Sequence, residues 1–112
     1  ENWHTPHATM LGDAVHATLP YMAQGAAMAI EDAAVLARAL DELPGPLPAR
    51  LQRYHEHRAP RTARVVREST EMGELYHLQD AAEMRQAFHD RDIARSRNEW
   101  LYPYDPLQVA ID

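Results

Sequence analysis

The sequence predicts a mainly α-helical chain with one short strand near its N-terminus. Three observations carry that expectation. Apolar residues recur at helical spacing from Gln24 to about Leu43, and again beyond Pro48. Ala8-Thr9-Met10-Leu11 is a short, mostly apolar run that ends on the turn-forming pair Gly12-Asp13. Composition adds the third: 46% of the 112 residues are hydrophobic, yet there are only one Phe and two Trp, and much of the rest is alanine. Alanine buries little area, so the chain suits close helix packing better than a thick independent core.

Residues Glu1 to His7 are polar, carry Pro6 and read as a loop. The Ala8–Leu11 run is expected to be one buried strand. A strand needs a neighbour to satisfy its backbone, and that neighbour is expected upstream of this sequence. Ala14 to Met22, with Pro20, reads as a connection. A first long helix is expected from Gln24 or Gly25 to about Leu43. Ile30, Ala33, Ala34, Ala37 and Leu40 form its apolar side, and Glu31, Asp32, Arg38, Asp41 and Glu42 mostly fall elsewhere. Pro44-Gly45-Pro46 ends it.

Pro48 suits the first turn of a second helix, with apolar contacts from Leu51, Tyr54, Ala63, Val66 and Leu75. Pro60 is expected to kink or split that helix, and Gly73 to be a further weak point. A third helix covers about Asp80 to Ser96. The proline-bound ending Trp100-Leu101-Tyr102-Pro103-Tyr104-Asp105-Pro106 reads as extended. These elements divide the chain into a strand–turn–helix portion, residues 1–43, and a helical portion with an aromatic tail, residues 44–112.

The formal charge of −6 offers no electrostatic footprint for nucleic acid. The chain has no cysteine, which excludes disulfides, thiolate metal sites and thiol nucleophiles. No apolar run approaches the roughly 18 residues of a membrane span, and no charged-then-apolar leader opens the chain. The expectation is a soluble, cytoplasmic protein. His4 with His7, and His55 with His57, lack carboxylate or thiolate partners at useful spacing, so no metal site is expected. Arg58, Arg61, Arg64 and Arg67 repeat every third residue, but Glu56, Glu68 and Glu71 lie among them. A solvated or ion-paired helix face is the expectation there.

The stretch that carries chemistry runs Gly12-Asp13-Ala14-Val15-His16, then Pro20, Gln24-Gly25, and Ala29-Ile30-Glu31-Asp32-Ala33 with Leu36. Small, acidic and turn-forming residues stand at fixed offsets between a strand and a helix. Glycine at 12 lets the backbone pass close to a bulky ligand. Asp13 offers a carboxylate that only accepts hydrogen bonds; on local sequence alone, a turn cap is the better reading. Pro20 fixes the backbone ahead of the helix. The helix's first turn, Gln24-Gly25-Ala26, presents unpaired N–H groups with partial positive charge. Gly25 also simply permits a tight turn. His16 reads as a hydrogen-bonded structural residue rather than a catalytic one.

Taken together, Gly12 to Leu40 closely resemble the second flavin-binding motif, the Gly-Asp motif, of the class A FAD-dependent aromatic hydroxylases, above all the salicylate hydroxylase-like group. Tyr54-His55-Glu56-His57-Arg58-Ala59-Pro60-Arg61 is similar to a Tyr-Glu-x-x-Arg-x-x-Arg-like pattern of that family, with a departure in the spacing of Glu56 and Arg58. Trp100 to Asp105 resembles the group's closing aromatic segment, and the resemblance is thin between Asp80 and Glu99.

The resemblance implies the C-terminal part of an α/β FAD-binding fold of the p-hydroxybenzoate hydroxylase type. It implies that Asp13, beside Gly12, bonds a ribityl hydroxyl of FAD. Pro20 and the helix start at Gln24, Gly25 and Ala26 would lie against the pyrimidine edge of the flavin ring, and Tyr21 and Met22 are placed to line a substrate pocket beside the flavin. No residue is assigned a catalytic role. The implied activity is that of a monooxygenase in which NAD(P)H reduces the flavin and O2 supplies a hydroxyl to a small aromatic substrate.

The Gly-x-Gly-x-x-Gly fingerprint that holds an FAD pyrophosphate does not occur in this sequence. The expectation is therefore half of a flavin site. Its principal partner is a missing N-terminal FAD-binding portion, and FAD is held weakly or not at all by this chain alone. The alternative is a small helical interaction module that retains an ancestral motif and buries its apolar face by self-association, for instance as a homodimer.

Overall fold

The computed structural model describes residues 2–112, and the side chains of all of these but 93 and 94. Residues 2–11 reverse on themselves: Thr5 N donates to Ala8 O at 2.8 Å and Met10 N to Trp3 O at 3.1 Å. The strand expected over Ala8–Leu11 is corrected here. It reduces to a single antiparallel bridge between His4 and Thr9, and no strand occurs among the described residues. The backbone alongside is the chain's own Trp3-His4, too short to sustain a ladder. The Tyr54 hydroxyl instead takes up the Met10 carbonyl at 3.1 Å.

The connection that follows is more ordered than its composition suggests. It holds a one-turn helix α1, Asp13–His16, and a 3₁₀ turn, Pro20–Met22. Helix α2, Gly25–Glu42, then ends as Leu43 turns extended ahead of Pro44 (φ −80°, ψ 138°). Helix α3 runs unbroken over Leu47–Tyr76, with Pro48 in its first turn.

Of the kink or split expected at Pro60, the split does not occur, because α3 is continuous through it. Its neighbours on the same helix are anchored: Arg58 and Thr62 are both fully buried. Thr62 Oγ1 also donates to the carbonyls of Arg58 (3.1 Å) and Ala59 (3.3 Å), in the turn the proline disturbs. Gly73 does not end the helix either. A Cβ there would stand 2.6 Å from Tyr21 Cε2, so glycine is what lets the Tyr21 ring lie against α3.

Helices α2 and α3 meet along a seam whose buried positions step by three and four, the spacing of two long helices in contact. On α2 these are Met28, Asp32, Val35 and Ala39. On α3 they include Leu51, Tyr54, Arg58, Thr62, Val65, Ser69 and Met72. The apolar side of α2 read from the sequence is not the side that α3 covers. Ile30 is 69% exposed, Leu40 is 40% exposed, and Ala33 and Ala37 are exposed as well. Asp32 explains the choice of seam, because that face alone puts its carboxylate onto Arg58. On α3 likewise, Val65 is buried while Ala63 is exposed and Val66 only half-buried.

Two apolar clusters flank the polar middle of the seam. One gathers Trp3, Val35, Ala39, Leu43, Tyr54 and Ile111; the other Met22, Met28, Val65, Met72 and Leu101. Beyond α3, Asp80 caps helix α4, Ala81–Arg91, by accepting from Ala82 N at 2.8 Å. The expected third helix then breaks at Asp92, which is left-handed (φ 42°). It resumes as α5, Ile93–Ser96, and a π-helical turn, Arg97–Leu101. Trp100 and Leu101 thus belong to a helical turn and not to an extended tail. No helix among the described residues is long and apolar enough to cross a membrane.

Candidate flavin site at the Gly-Asp turn

The Gly-Asp turn and the start of α2 enclose an open concavity of about 660 Å³, lined by Gly12, Asp13, Thr18, Pro20, Gly25, Ala26 and their neighbours. Five of the six residues expected to hold a cofactor, Gly12, Asp13, Pro20, Gly25 and Ala26, therefore come together on one surface. Gln24, the sixth, is the residue before the helix and adopts φ −107°, ψ −4°. The first bond of the helix runs from Met28 N to Gln24 O at 2.9 Å. The amides of Gly25, Ala26 and Ala27 thus lack backbone acceptors, and no side chain caps them.

Backbone shape explains the glycines. Gly12 has φ +64°, and a Cβ on it would lie 3.3 Å from the Ala29 Cβ, so both conformation and the close approach of α2 favour glycine. A Cβ on Gly25 would stand within the concavity, 3.6 Å from Thr18 Cγ2 and 4.0 Å from Asp13 Oδ1. Asp13 itself is exposed, with its carboxylate beside the uncapped helix start.

Behind the turn lies a buried carboxylate. Asp32 Oδ2 accepts from the Gly12 N–H at 2.9 Å and from Nε2 of His16, while Oδ1 accepts from Nε of Arg58 at 2.7 Å. Asp32 and Arg58 are 0% exposed and His16 6%. A buried charge is tolerated when it is paired and its lone pairs are used, and here three donors converge on one carboxylate. His16 accordingly has the structural placement expected of it. Of the two expectations for the arginine repeat, ion pairing holds for Arg58, Arg61 and Arg64, although Arg58 makes its pair in the buried seam and not on a solvated face.

The pairing continues outward. Arg58 Nη1 lies 2.9 Å from Glu31 Oε2, an ion contact without hydrogen-bond alignment. Glu31 accepts two bonds from Arg61, at 2.8 and 2.9 Å. Arg61 in turn donates to the carbonyls of Trp100 and Leu101 and lies 4.0 Å from the centre of the Tyr104 ring. The aromatic ending is thereby fastened to α3 by the arginines. Burial, reinforced by the Asp32 charge, holds the Tyr54 phenol above its ordinary range.

Tyr21 and Met22 face away from the concavity, across the 3₁₀ turn. The Tyr21 ring stacks on Tyr76 with centroids 5.6 Å apart. Met22 is buried and lines a separate cavity of about 240 Å³ with Met72, Leu75 and Arg97. Among the described residues no group of three His, Asp or Glu side chains is arranged to hold a metal ion.

Comparison with known proteins identifies the family. The FAD binding domain family matches residues 1–69, which take in the Gly-Asp turn, all of α2 and α3 through Ser69. The 3-amino-4-hydroxybenzoate 2-monooxygenase of Streptomyces platensis is 42% identical over 96% of this chain and 28% of its own length. The 3-hydroxybenzoate 6-hydroxylase of Polaromonas naphthalenivorans is 38% identical over 92% of the chain and 27% of its own length. A salicylate hydroxylase of Pseudomonas putida is 38% identical over 86% of the chain and 23% of its own length. The chain thus spans only about a quarter of the length of these relatives. No solved structure matches it. With the family's match lying over the turn and both long helices, the chain belongs to the FAD-binding monooxygenase family of salicylate hydroxylase-like aromatic hydroxylases.

Proposed function

We propose that this chain supplies the second half of the flavin site of a monooxygenase that hydroxylates a small aromatic compound with NAD(P)H and O2. The observation that carries the reading is the concavity in which Gly12, Asp13, Pro20, Gly25 and Ala26 meet an uncapped helix start. Asp13 would accept a hydrogen bond from a ribityl hydroxyl, and Gly12 would let that chain approach the backbone. The free amides of α2's first turn would face the electron-rich edge of the ring, where a helix N-terminus favours negative charge. Bound FAD would supply the redox and oxygen chemistry; the chain's part is to bind and orient it.

The exposed face of α2 supports the same reading. Leu11, Ile30, Ala33, Ala37 and Leu40 form an exposed apolar stripe that runs on from the concavity. The remaining portion of an FAD-binding domain would both cover that stripe and hold the pyrophosphate. Tyr21 and Met22 would contribute to a substrate pocket through the turn they share with Pro20, on the side away from the ribityl chain.

The test is Asp13→Ala in the intact flavoprotein. The reading expects flavin to be lost on extended dialysis while the Michaelis constant for the aromatic substrate, measured with FAD in excess, changes little. Full retention of flavin by the variant would overturn the assigned role. The 112-residue chain alone is expected to be colourless, and stoichiometric bound flavin would contradict the half-site. The exposed stripe equally suits self-association, so a flavin-free dimer with no upstream dinucleotide-binding segment in the reading frame would favour an interaction module instead.

A further inference from the structure

The geometry points to Asp32 as a positioning residue for the cofactor turn, acting on the Gly12 peptide from behind and relaying its placement to the aromatic ending of the chain. The inference rests on the concavity being the flavin site. Asp32 touches nothing in that concavity. What it holds is the N–H of Gly12, at 2.9 Å, the residue that precedes Asp13 in the turn. Gly12 has a left-handed φ of +64° and makes no side-chain contact of its own, so its peptide plane needs an external reference. Asp32 supplies one from the second turn of α2, the same helix whose first turn forms the other wall of the concavity. Both walls are thus registered to a single carboxylate.

The carboxylate is itself immobilised. His16 holds the oxygen that Gly12 uses, and Arg58 holds the other oxygen at 2.7 Å, across the seam from α3. Arg58 is flanked by Glu31 and lies 5.3 Å from the centre of the Tyr104 ring, while Arg61 bonds the Trp100 and Leu101 carbonyls. A carboxylate with all of its charge paired and no solvent contact has one orientation, and an amide does not reproduce it: an Asn side chain must turn its NH2 either on Gly12 and His16 or on Arg58. In either orientation at least one donor is left unmet and the charge that fixes the group is lost, so the Gly12 peptide loses its fixed reference without any change to a cofactor-facing group.

The experiment compares three variants of the intact flavoprotein: Asp32→Asn, Asp13→Ala, and Val65→Ala as a control that destabilises the same seam without contacting the turn. FAD dissociation constants and melting temperatures are measured for each apoprotein, with the visible circular dichroism of the bound flavin. Asp32→Asn is expected to raise the FAD dissociation constant at least tenfold and to alter the flavin dichroism. Val65→Ala should lower the melting temperature with the dissociation constant within twofold of wild type. If Asp32→Asn weakens FAD no more than Val65→Ala does at equal loss of melting temperature, Asp32 is only structural and the inference falls. Should Asp32→Asn not fold, His16→Leu removes one of the three donors from the same carboxylate and is judged by the same comparison. An unchanged dissociation constant in Asp13→Ala overturns the flavin reading itself. A weakened Asp13→Ala beside an Asp32→Asn that behaves like the control overturns only the positioning role.

Discussion

Arg58 Nε lies 2.7 Å from Asp32 Oδ1, with both side chains fully withdrawn from solvent in the middle of the α2–α3 seam. Apolar clusters lie on either side, so the pair is an ionic layer within a helix interface. Removing one member of such a pair leaves a buried charge without its partner, which costs about 3–5 kcal/mol. Arg58→Met is expected to destabilise the chain by about that amount. Arg53→Met, which breaks an exposed contact with Glu56, should cost no more than about 1 kcal/mol. Urea denaturation midpoints check the contrast, and equal losses in the two variants would show that the buried layer carries no special weight.

Gly12 offers a second, independent prediction. Alanine there must adopt φ +64° and bring its Cβ to 3.3 Å from that of Ala29. That φ, paired with ψ −147°, lies in a region essentially reserved for glycine and costs about 1–3 kcal/mol for a residue with a Cβ. Gly12→Ala is expected to lower stability by at least that much, and Ala29→Gly in the same chain should recover only the steric part. Full recovery in the double variant would show that φ is not the constraint.

The seam also shows which parts of the fold could be read from the sequence. The bounds of α2 were legible because Gly25 and Pro44-Gly45-Pro46 punctuate the backbone itself. The Gly-Asp turn residues were legible as a group because their offsets are local, and five of the six share one concavity. The buried face of α2 was not legible by hydrophobicity. Its stripe, Met28, Asp32, Val35 and Ala39, contains a carboxylate, and the matching stripe on α3 contains Arg58, Thr62 and Ser69. Polar residues at seam positions look solvent-facing until their partner is known, and the partner here is 26 residues away. The steps of three and four were in the sequence, and an opposed Asp and Arg on two such stripes was the signal that could have found the pair. The strand failed for a related reason, since a ladder depends on a neighbour that local pattern does not contain. Pro60 does not split α3 because tertiary anchors at Arg58 and Thr62 outweigh a local preference.

His57 makes stability depend on pH in a predictable direction. Its Nε2 lies 3.0 Å from the Tyr104 hydroxyl. Burial, then the charges of Arg58, Arg38 and Arg61, holds the imidazole below its ordinary value of 6.5. The unfolded chain therefore binds more protons between the depressed value and 6.5, so this group leaves stability intact above 6.5 and lowers it as pH falls toward the folded value. His55 acts in the same direction, through burial and its neighbour His4. Lowering the pH from about 7.5 to about 5.5 is expected to reduce the denaturation midpoint more in the wild type than in His57→Gln, whose amide does not titrate. Parallel pH profiles for the two proteins would rule His57 out as a contributor.

Gly73 and Tyr21 permit the sharpest test of how the turn is seated on α3. In an open helix, glycine to alanine stabilises by about 0.5–1 kcal/mol, because the unfolded chain loses freedom. At position 73 the added Cβ would stand 2.6 and 2.8 Å from Tyr21 Cε2 and Cδ2, a ring also held by stacking on Tyr76 and by the edge of His77. The ring, or the Pro20–Met22 turn that carries it, must then move. Overpacking of this kind costs about 1–3 kcal/mol. Gly73→Ala is therefore expected to destabilise the wild type and to stabilise a Tyr21→Ala background by up to about 1 kcal/mol. The change of sign is what identifies the contact, since a coupling energy above about 1 kcal/mol arises between residues that touch. Thermal or urea unfolding of the four proteins of this cycle decides the matter: the same sign in both backgrounds would mean that Tyr21 does not rest on Gly73 in solution, and that glycine at this position is a tolerated weakness of the helix and not the seat of the turn.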